Sequence, residues 1–130
     1  MPPKILIVED NFDSREMLTT FLSSEGYTVI SAEDGQDGLA RLESDPPDLI
    51  ITDIEMPNLD GIDLIKRLRE RPDWKQVPIV VVSAYGSGNL TQAMDAGANG
   101  AMRKPIPMAN LFAMIQRLLS TIAIIMHVFY

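Results

Sequence analysis

The sequence predicts a three-layer α/β sandwich in which helices cover both faces of a parallel, five-stranded sheet. Short apolar runs without polar alternation recur along the chain, which is typical of strands buried on both faces. Stretches with apolar residues at helical spacing separate these runs, and the connections are short. Strands that alternate with helices form right-handed βαβ units, and such units build a parallel sheet.

The predicted strands are apolar segments bounded by turn residues. The third is the clearest, because its large β-prone residues stop at Asp53. A turn follows there, as Pro57 and Gly61 indicate. Pro78 lies near the start of the fourth strand, where a missing backbone donor is tolerated. The five predicted strands are 5–8, 27–30, 49–52, 77–82 and 100–103.

Five helices follow from apolar residues at helical spacing. The first begins between Asn11 and Ser14 and ends at Gly26. Prolines end the second and third helices, at Pro46 and before Pro72. The apolar stripes of the five helices lie at 17–22, 39–42, 62–68, 90–94 and 111–122.

Length and composition favour one globular domain. Of the 130 residues, 46% are hydrophobic and 22% are charged, so we expect one domain over 1–121 and an apolar tail over 122–130. The net charge of −7 argues against a nucleic-acid surface. The absence of cysteine excludes disulfides and a thiol nucleophile. Without a signal-peptide pattern or an apolar stretch of about 18 residues, we expect a cytoplasmic protein that does not span a membrane.

Chemically active residues follow four of the five predicted strands. Glu9 and Asp10 follow the first strand and Asp53 follows the third. Ser83 follows the fourth strand and Lys104 the fifth. Because the carboxyl ends of parallel strands share one edge of the sheet, we expect these side chains to meet in one cleft.

Each of these residues also has a simpler interpretation. Asp53 could be a turn or cap residue, and Ser83 could be a turn hydroxyl. Lys104 could form a salt bridge with Asp53, and we expect this ion pair in the resting protein in any case.

Their combination favours metal-assisted phosphoryl chemistry. Three carboxylates crowded together repel one another unless a cation joins them. Hard oxygen ligands suit Mg²⁺ rather than zinc. Asp53 can then attack phosphorus and form an acyl phosphate. The metal and Lys104 can neutralise the phosphoryl oxygens, and Ser83 can donate a hydrogen bond to one of them.

Over roughly residues 4–120, the chain resembles the receiver domain of bacterial two-component response regulators. Five segments in this order carry the resemblance, at 7–11, 53–61, 82–84, 97–100 and 104–105. The resemblance implies a flavodoxin-like fold with the sheet order 2-1-3-4-5, and it assigns the receiver domain to residues 1–121. In this family the peptide bond at the position of Lys104–Pro105 is often cis.

The resemblance further implies roles for the residues of the cleft. Asp53 would be phosphorylated by a histidine kinase or a histidine phosphotransfer protein. Asp10 and Asp53 would bind Mg²⁺ directly, together with the backbone carbonyl of Glu55, and Glu9 would act largely through water. A homodimer through the last two helices and the fifth strand is a further possibility in this family.

Two positions modify the family pattern. Receivers usually carry Tyr or Phe three residues before the lysine, where this chain has Ala101. We expect the phosphorylation chemistry to survive, while signalling would depend on shifts within 83–94. The second position is the pair Glu55 and Tyr85, which resembles the pair that sets acyl-phosphate lifetime in receivers.

Three functions compete. The leading one is a stand-alone, single-domain response regulator, which passes its phosphoryl group on or binds a downstream protein partner. The second is a receiver-like interaction module that is never phosphorylated. The third is a Mg²⁺-dependent phosphatase of the haloacid-dehalogenase type, but such enzymes carry Asp where this chain has Glu55. The tail over 122–130 could extend the last helix, form a packed strand, or contact a membrane or partner.

Overall fold

In the computed structural model, which describes residues 2–84 and 89–129, strands and helices alternate as the sequence predicts. Within these ranges the side chains of 122–127 and 129 are not described. The strands are β1 (Lys4–Val8), β2 (Thr28–Ala32), β3 (Leu49–Asp53), β4 (Ile79–Ser83) and β5 (Gly100–Arg103). The helices are α1 (Phe12–Ser24), α2 (Gly35–Ser44), α3 (Gly61–Glu70), α4 (Leu90–Ala96) and α5 (Met108–Phe129).

The strands form one parallel sheet in the order β2-β1-β3-β4-β5. Both the predicted fold class and the predicted sheet order are therefore confirmed. In the register of the sheet, Ile51 of β3 pairs with Ile7 of β1 on one side and with Val80 of β4 on the other. All strands point the same way, so their carboxyl ends lie along one edge.

Successive strand residues face two separate hydrophobic cores. One core joins Leu6 and Ile50 of the sheet to α2, α3 and α4. The other joins Ile7 and Ile51 to α1 and α5. Every residue of β3 and β4 is buried, which explains why these strands show no polar alternation in the sequence.

The bounds of β2 differ from the prediction. The strand begins at Thr28 rather than Tyr27, because the Tyr27 N–H donates to the carbonyl of Leu22 at 3.2 Å and so closes α1. Gly26 allows this reversal by adopting a φ of 95°. The strand also continues to Ala32, which pairs with Val8.

The final helix, α5, continues as a helix to Phe129. Its residues Leu111 and Ile115 are fully buried against the sheet. A domain boundary at 121 stays a prediction. Among the described residues, no helix combines the length and the apolarity needed to cross a membrane.

Arg69 ties together the edge of the sheet opposite the carboxyl ends. Its guanidinium donates to the carbonyls of Gly97 (2.9 Å), Trp74 (3.0 Å) and Lys75 (3.1 Å). It also donates to Asn99 Oδ1 at 2.8 Å. Burial lowers the pKa of Arg69 from its ordinary value. The side chain therefore fixes the end of α3 to the segments that precede β4 and β5.

We predict that Arg69→Gln lowers the free energy of unfolding by about 1–3 kcal/mol, because several carbonyls lose a charged donor. Urea denaturation followed by circular dichroism measures the change. Arg67→Gln is the matched control, since Arg67 is exposed on the same helix and its replacement should change stability by less than about 0.5 kcal/mol. Equal losses in the two variants would contradict the role assigned to Arg69.

Candidate functional site

The carboxyl edge of the sheet collects the residues that the sequence predicts there. Glu9 follows β1 and Asp53 is the last residue of β3. Ser83 ends β4, and Lys104 comes directly after β5. Glu9, Asp53 and Ser83 are buried, whereas Asp10 is exposed at the mouth of the site. The Lys104 N–H donates to the carbonyl of Ser83 at 2.7 Å, which joins the last two strand ends.

One ammonium group lies between two buried carboxylates. Lys104 Nζ is 3.2 Å from Asp53 Oδ2, which confirms the predicted ion pair. It lies closer to Glu9 Oε1, at 2.7 Å. Carboxylate oxygens of Glu9, Asp10 and Asp53 lie within 4.8 Å of one another. Within the described part of the chain, Glu9 and Asp53 thus share one ammonium at this edge, and the Asp10 carboxylate lies beside them.

Burial governs the protonation of the cluster. It raises the pKa of Glu9 to about 7; the hydrogen bond from Lys104 opposes this shift and the proximity of Asp53 adds to it. Burial also acts to lower the pKa of Lys104, but the hydrogen bond to Glu9 and the charge of Asp53 outweigh it, so this pKa is raised. The ammonium therefore stays charged, while Glu9 takes up a proton more readily than an ordinary carboxyl group.

The phosphoacceptor candidate Asp53 is held by its own loop. Its Oδ1 accepts a hydrogen bond from the N–H of Ile54 at 2.7 Å, which leaves Oδ2 to face Lys104. Gly61 closes the loop by donating its N–H to the carbonyl of Ile54 at 2.8 Å. A Cβ at Gly61 would lie 2.1 Å from the carbonyl oxygen of Asp53, so only glycine fits there.

The donor set fits a hard divalent cation. Glu9 Oε2 is buried and has no hydrogen-bond partner among the described residues. Asp10 and Glu55 line an open cleft of about 520 Å³ beside the cluster. Carboxylate and carbonyl oxygens are the ligands that Mg²⁺ prefers. The structure thus brings the carboxylates of Glu9, Asp10 and Asp53 together as metal-binding candidates, and direct contact of the Glu55 carbonyl with a metal stays a prediction.

The remaining predictions have separate outcomes. The Lys104–Pro105 peptide bond is cis, as expected. Ala101 lies within β5, where it pairs with Val81. Tyr85, the second of the two positions assigned to phosphate lifetime, lies outside the described residues.

Sequence reasoning missed three contacts around the site. It did not foresee that Glu9 is the closer partner of Lys104. It also missed the hydrogen bond from Arg15 to the carbonyl of Glu9, at 2.8 Å. The third contact joins Asn58 to Asp34 at 2.7 Å. The only available signal was that Asn58 and Asp34 are turn and helix-cap residue types.

A parallel sheet of this order, with an acidic cluster and a lysine at its carboxyl edge, defines the receiver class of α/β proteins. A sequence model of the response regulator receiver domain matches residues 5–116. The chain belongs to this family.

Individual relatives agree with this assignment. Response regulator MprA of Mycolicibacterium vanbaalenii is 38% identical over 120 residues, which cover 92% of this chain and 51% of that protein. The chain therefore spans about half the length of this curated relative. A putative response regulator from Chloroflexus aurantiacus has a TM-score of 0.88 at 33% identity, covering 92% of this chain and 99% of that one.

A third similar protein is the receiver domain of sensor histidine kinase PA1611 from Pseudomonas aeruginosa. It has a TM-score of 0.85 at 30% identity, with 92% of this chain and 99% of that one covered. That crystal structure holds a magnesium ion coordinated in its active-site cleft.

We predict a pH dependence of stability that originates at Glu9 in metal-free protein. Between its ordinary pKa of 4.5 and its folded pKa of about 7, the folded state holds a proton that the unfolded state has lost. The contribution is complete below the lower value and is lost as the pH rises through the higher one. In the presence of a metal chelator, the free energy of unfolding should therefore fall by about 1–3 kcal/mol as the pH rises from the lower to the higher of these two pKa values.

Urea denaturation at a series of pH values measures this slope. Glu9→Gln should remove it, whereas Glu16→Gln, at an exposed position on α1, should leave it in place. A slope that persists unchanged in Glu9→Gln would show that another group is responsible.

Proposed function

We propose that the chain accepts a phosphoryl group from a phosphohistidine donor on Asp53, with Mg²⁺ as cofactor. One observation carries this proposal: the buried Asp53 carboxylate, one of a cluster of three carboxylates, faces the Lys104 ammonium. The magnesium ion in the similar receiver of Pseudomonas aeruginosa supports the choice of metal. The chain would act on itself rather than turn over a substrate.

The proposed chemistry is a phosphoryl transfer between two side chains. An Asp53 carboxylate oxygen forms a bond to phosphorus while the phosphorus–nitrogen bond of the donor histidine breaks, and the imidazole keeps the electron pair. Asp10, Asp53 and the carbonyl of Glu55 would hold Mg²⁺, and Glu9 would contribute through water. When bound, the ion supplies positive charge that neutralises the phosphoryl oxygens.

Lys104 and Ser83 would complete the site. In the resting state the Lys104 ammonium is shared between Glu9 and Asp53, and it can move to a phosphoryl oxygen once Asp53 is modified. Ser83 is the last residue of β4, and its hydroxyl can donate a hydrogen bond to a second phosphoryl oxygen. Each group would stabilise negative charge on the phosphoryl oxygens during transfer.

Output would pass to a protein partner. The donor would be a histidine kinase or a histidine phosphotransfer protein in the cytoplasm, and homodimerisation is a further possibility. Ala101 has no aromatic ring that could reorient on phosphorylation, so signalling would depend on conformational shifts within the segment 83–94. Onward transfer of the phosphoryl group needs a smaller conformational shift than a full switch, which would need a bias on the order of 5 kcal/mol.

We predict that wild-type protein incubated with acetyl phosphate and Mg²⁺ gains one phosphoryl group by intact-mass spectrometry. Asp53→Asn should abolish the adduct, since it removes the nucleophilic oxygen. Asp63→Asn, which changes an exposed aspartate on α3, is the matched control and should retain it. The absence of any adduct in wild-type protein would favour an interaction module that is never phosphorylated, whereas repeated release of phosphate would favour a phosphatase.

We predict that Lys104→Gln slows this phosphorylation about 100-fold, because one charged contact to the phosphoryl group is lost. Rapid-quench sampling of the adduct measures the rate. Lys66→Gln removes an exposed lysine on α3 and should leave the rate unchanged. Comparable rates in the two variants would argue against direct contact between Lys104 and the phosphoryl group.

A further inference from the structure

The loop between β3 and α3 is anchored to the start of α2 as well as to its own strand. Asn58 Nδ2 donates to Asp34 Oδ2 at 2.7 Å. Asp34 is the N-cap of α2, and its other carboxylate oxygen caps that helix by accepting a backbone N–H at 2.8 Å. Leu59 packs on the same helix start, where a Cβ at Gly35 would lie 2.3 Å from the Leu59 carbonyl oxygen.

The end of β2, just before α2, contacts the loop that carries the other two carboxylates. The N–H of Glu9 donates to the carbonyl of Ala32 at 3.0 Å. The short segment 32–35 therefore contacts both loops that carry the acidic cluster, although it supplies no ligand itself. This segment therefore links the loop that carries Glu9 and Asp10 to the loop that follows Asp53.

The backbone of Asn58 shows why its side chain matters. This residue has a φ of 69°, in the left-handed region. Glycine adopts that conformation without steric cost, and asparagine tolerates it less well. The turn alone does not require an amide side chain here. The amide side chain instead donates the hydrogen bond to Asp34 that holds the loop on α2.

We infer that Asp34 and Asn58 form a positioning pair, which fixes the β3–α3 loop so that Asp53 and the Glu55 carbonyl are held ready for Mg²⁺. This inference rests on the proposed metal site. Replacing a group that bonds directly to a metal ligand typically weakens affinity by about 10- to 100-fold. Asp34 and Asn58 act one step further away, so we expect a loss of about threefold to tenfold.

The test is calorimetric titration of Mg²⁺ into the full chain. Asn58→Gly removes the hydrogen bond and keeps the left-handed turn. Asp34→Ser keeps an oxygen that can cap α2 but cannot reach Asn58. Each variant should raise the Kd by about threefold to tenfold, and the double variant should raise it no further. Asp34→Asn should keep an affinity close to that of wild type, since its Oδ1 can still cap the helix while its Nδ2 donates to the Asn58 amide oxygen once that amide turns over.

Ser44→Ala provides the matched control, because it deletes an exposed side-chain hydrogen bond at the far end of α2. Its Kd should equal that of wild type. An unchanged Kd in Asn58→Gly would overturn the inference, even if thermal stability falls, since the bond would then be structural only. Additive losses in the double variant would also overturn it. If wild-type protein binds no Mg²⁺, the proposed metal site fails together with this inference.

Discussion

Two buried carboxylates share one ammonium at the carboxyl edge of the sheet, and the electrostatics of the site depend on this imbalance. Lys104 bonds to both Glu9 and Asp53, yet Glu9 Oε2 has no partner in the described part of the chain. Buried charge without full compensation is costly, so such a cluster must gain a proton or a cation. The raised pKa of Glu9 corresponds to the gain of a proton. A divalent cation would achieve the second and would lower the barrier to phosphoryl transfer as well.

The sheet topology makes this imbalance possible. Glu9, Asp53 and Lys104 come from the ends of three different strands, β1, β3 and β5, so the sheet fixes where their backbones lie. The chain order reverses between β1 and β3, which are neighbours in the sheet, and this is where α/β proteins open a crevice. Stability is supplied elsewhere, by two apolar cores and by the Arg69 network at the opposite edge. The charged residues at the carboxyl edge can therefore serve phosphoryl chemistry, because most of the stability of the fold comes from other parts of the structure.

The sequence was most informative where burial is complete. Unbroken apolar runs located β3 and β4, and the residues that follow the strands located Asp53 and Lys104. Prediction was weaker where an atom has two possible partners. The N–H of Tyr27 bonds to α1 rather than to the sheet, and Lys104 lies closer to Glu9 than to Asp53. The bond between Asn58 and Asp34 joins residues 24 positions apart, and neither local propensity nor spacing encodes such a contact.

A crystal structure with Mg²⁺ and beryllofluoride would test the central claim about charge most directly. We expect one ion in contact with Asp10, Asp53 and the Glu55 carbonyl, beryllofluoride on an Asp53 oxygen, and Lys104 turned from Glu9 toward a fluoride. A structure in which Lys104 still joins Glu9 to Asp53, with no ion beside them under saturating Mg²⁺, would contradict the claim. The acidic cluster would then be neutralised by protonation, and its role would be structural.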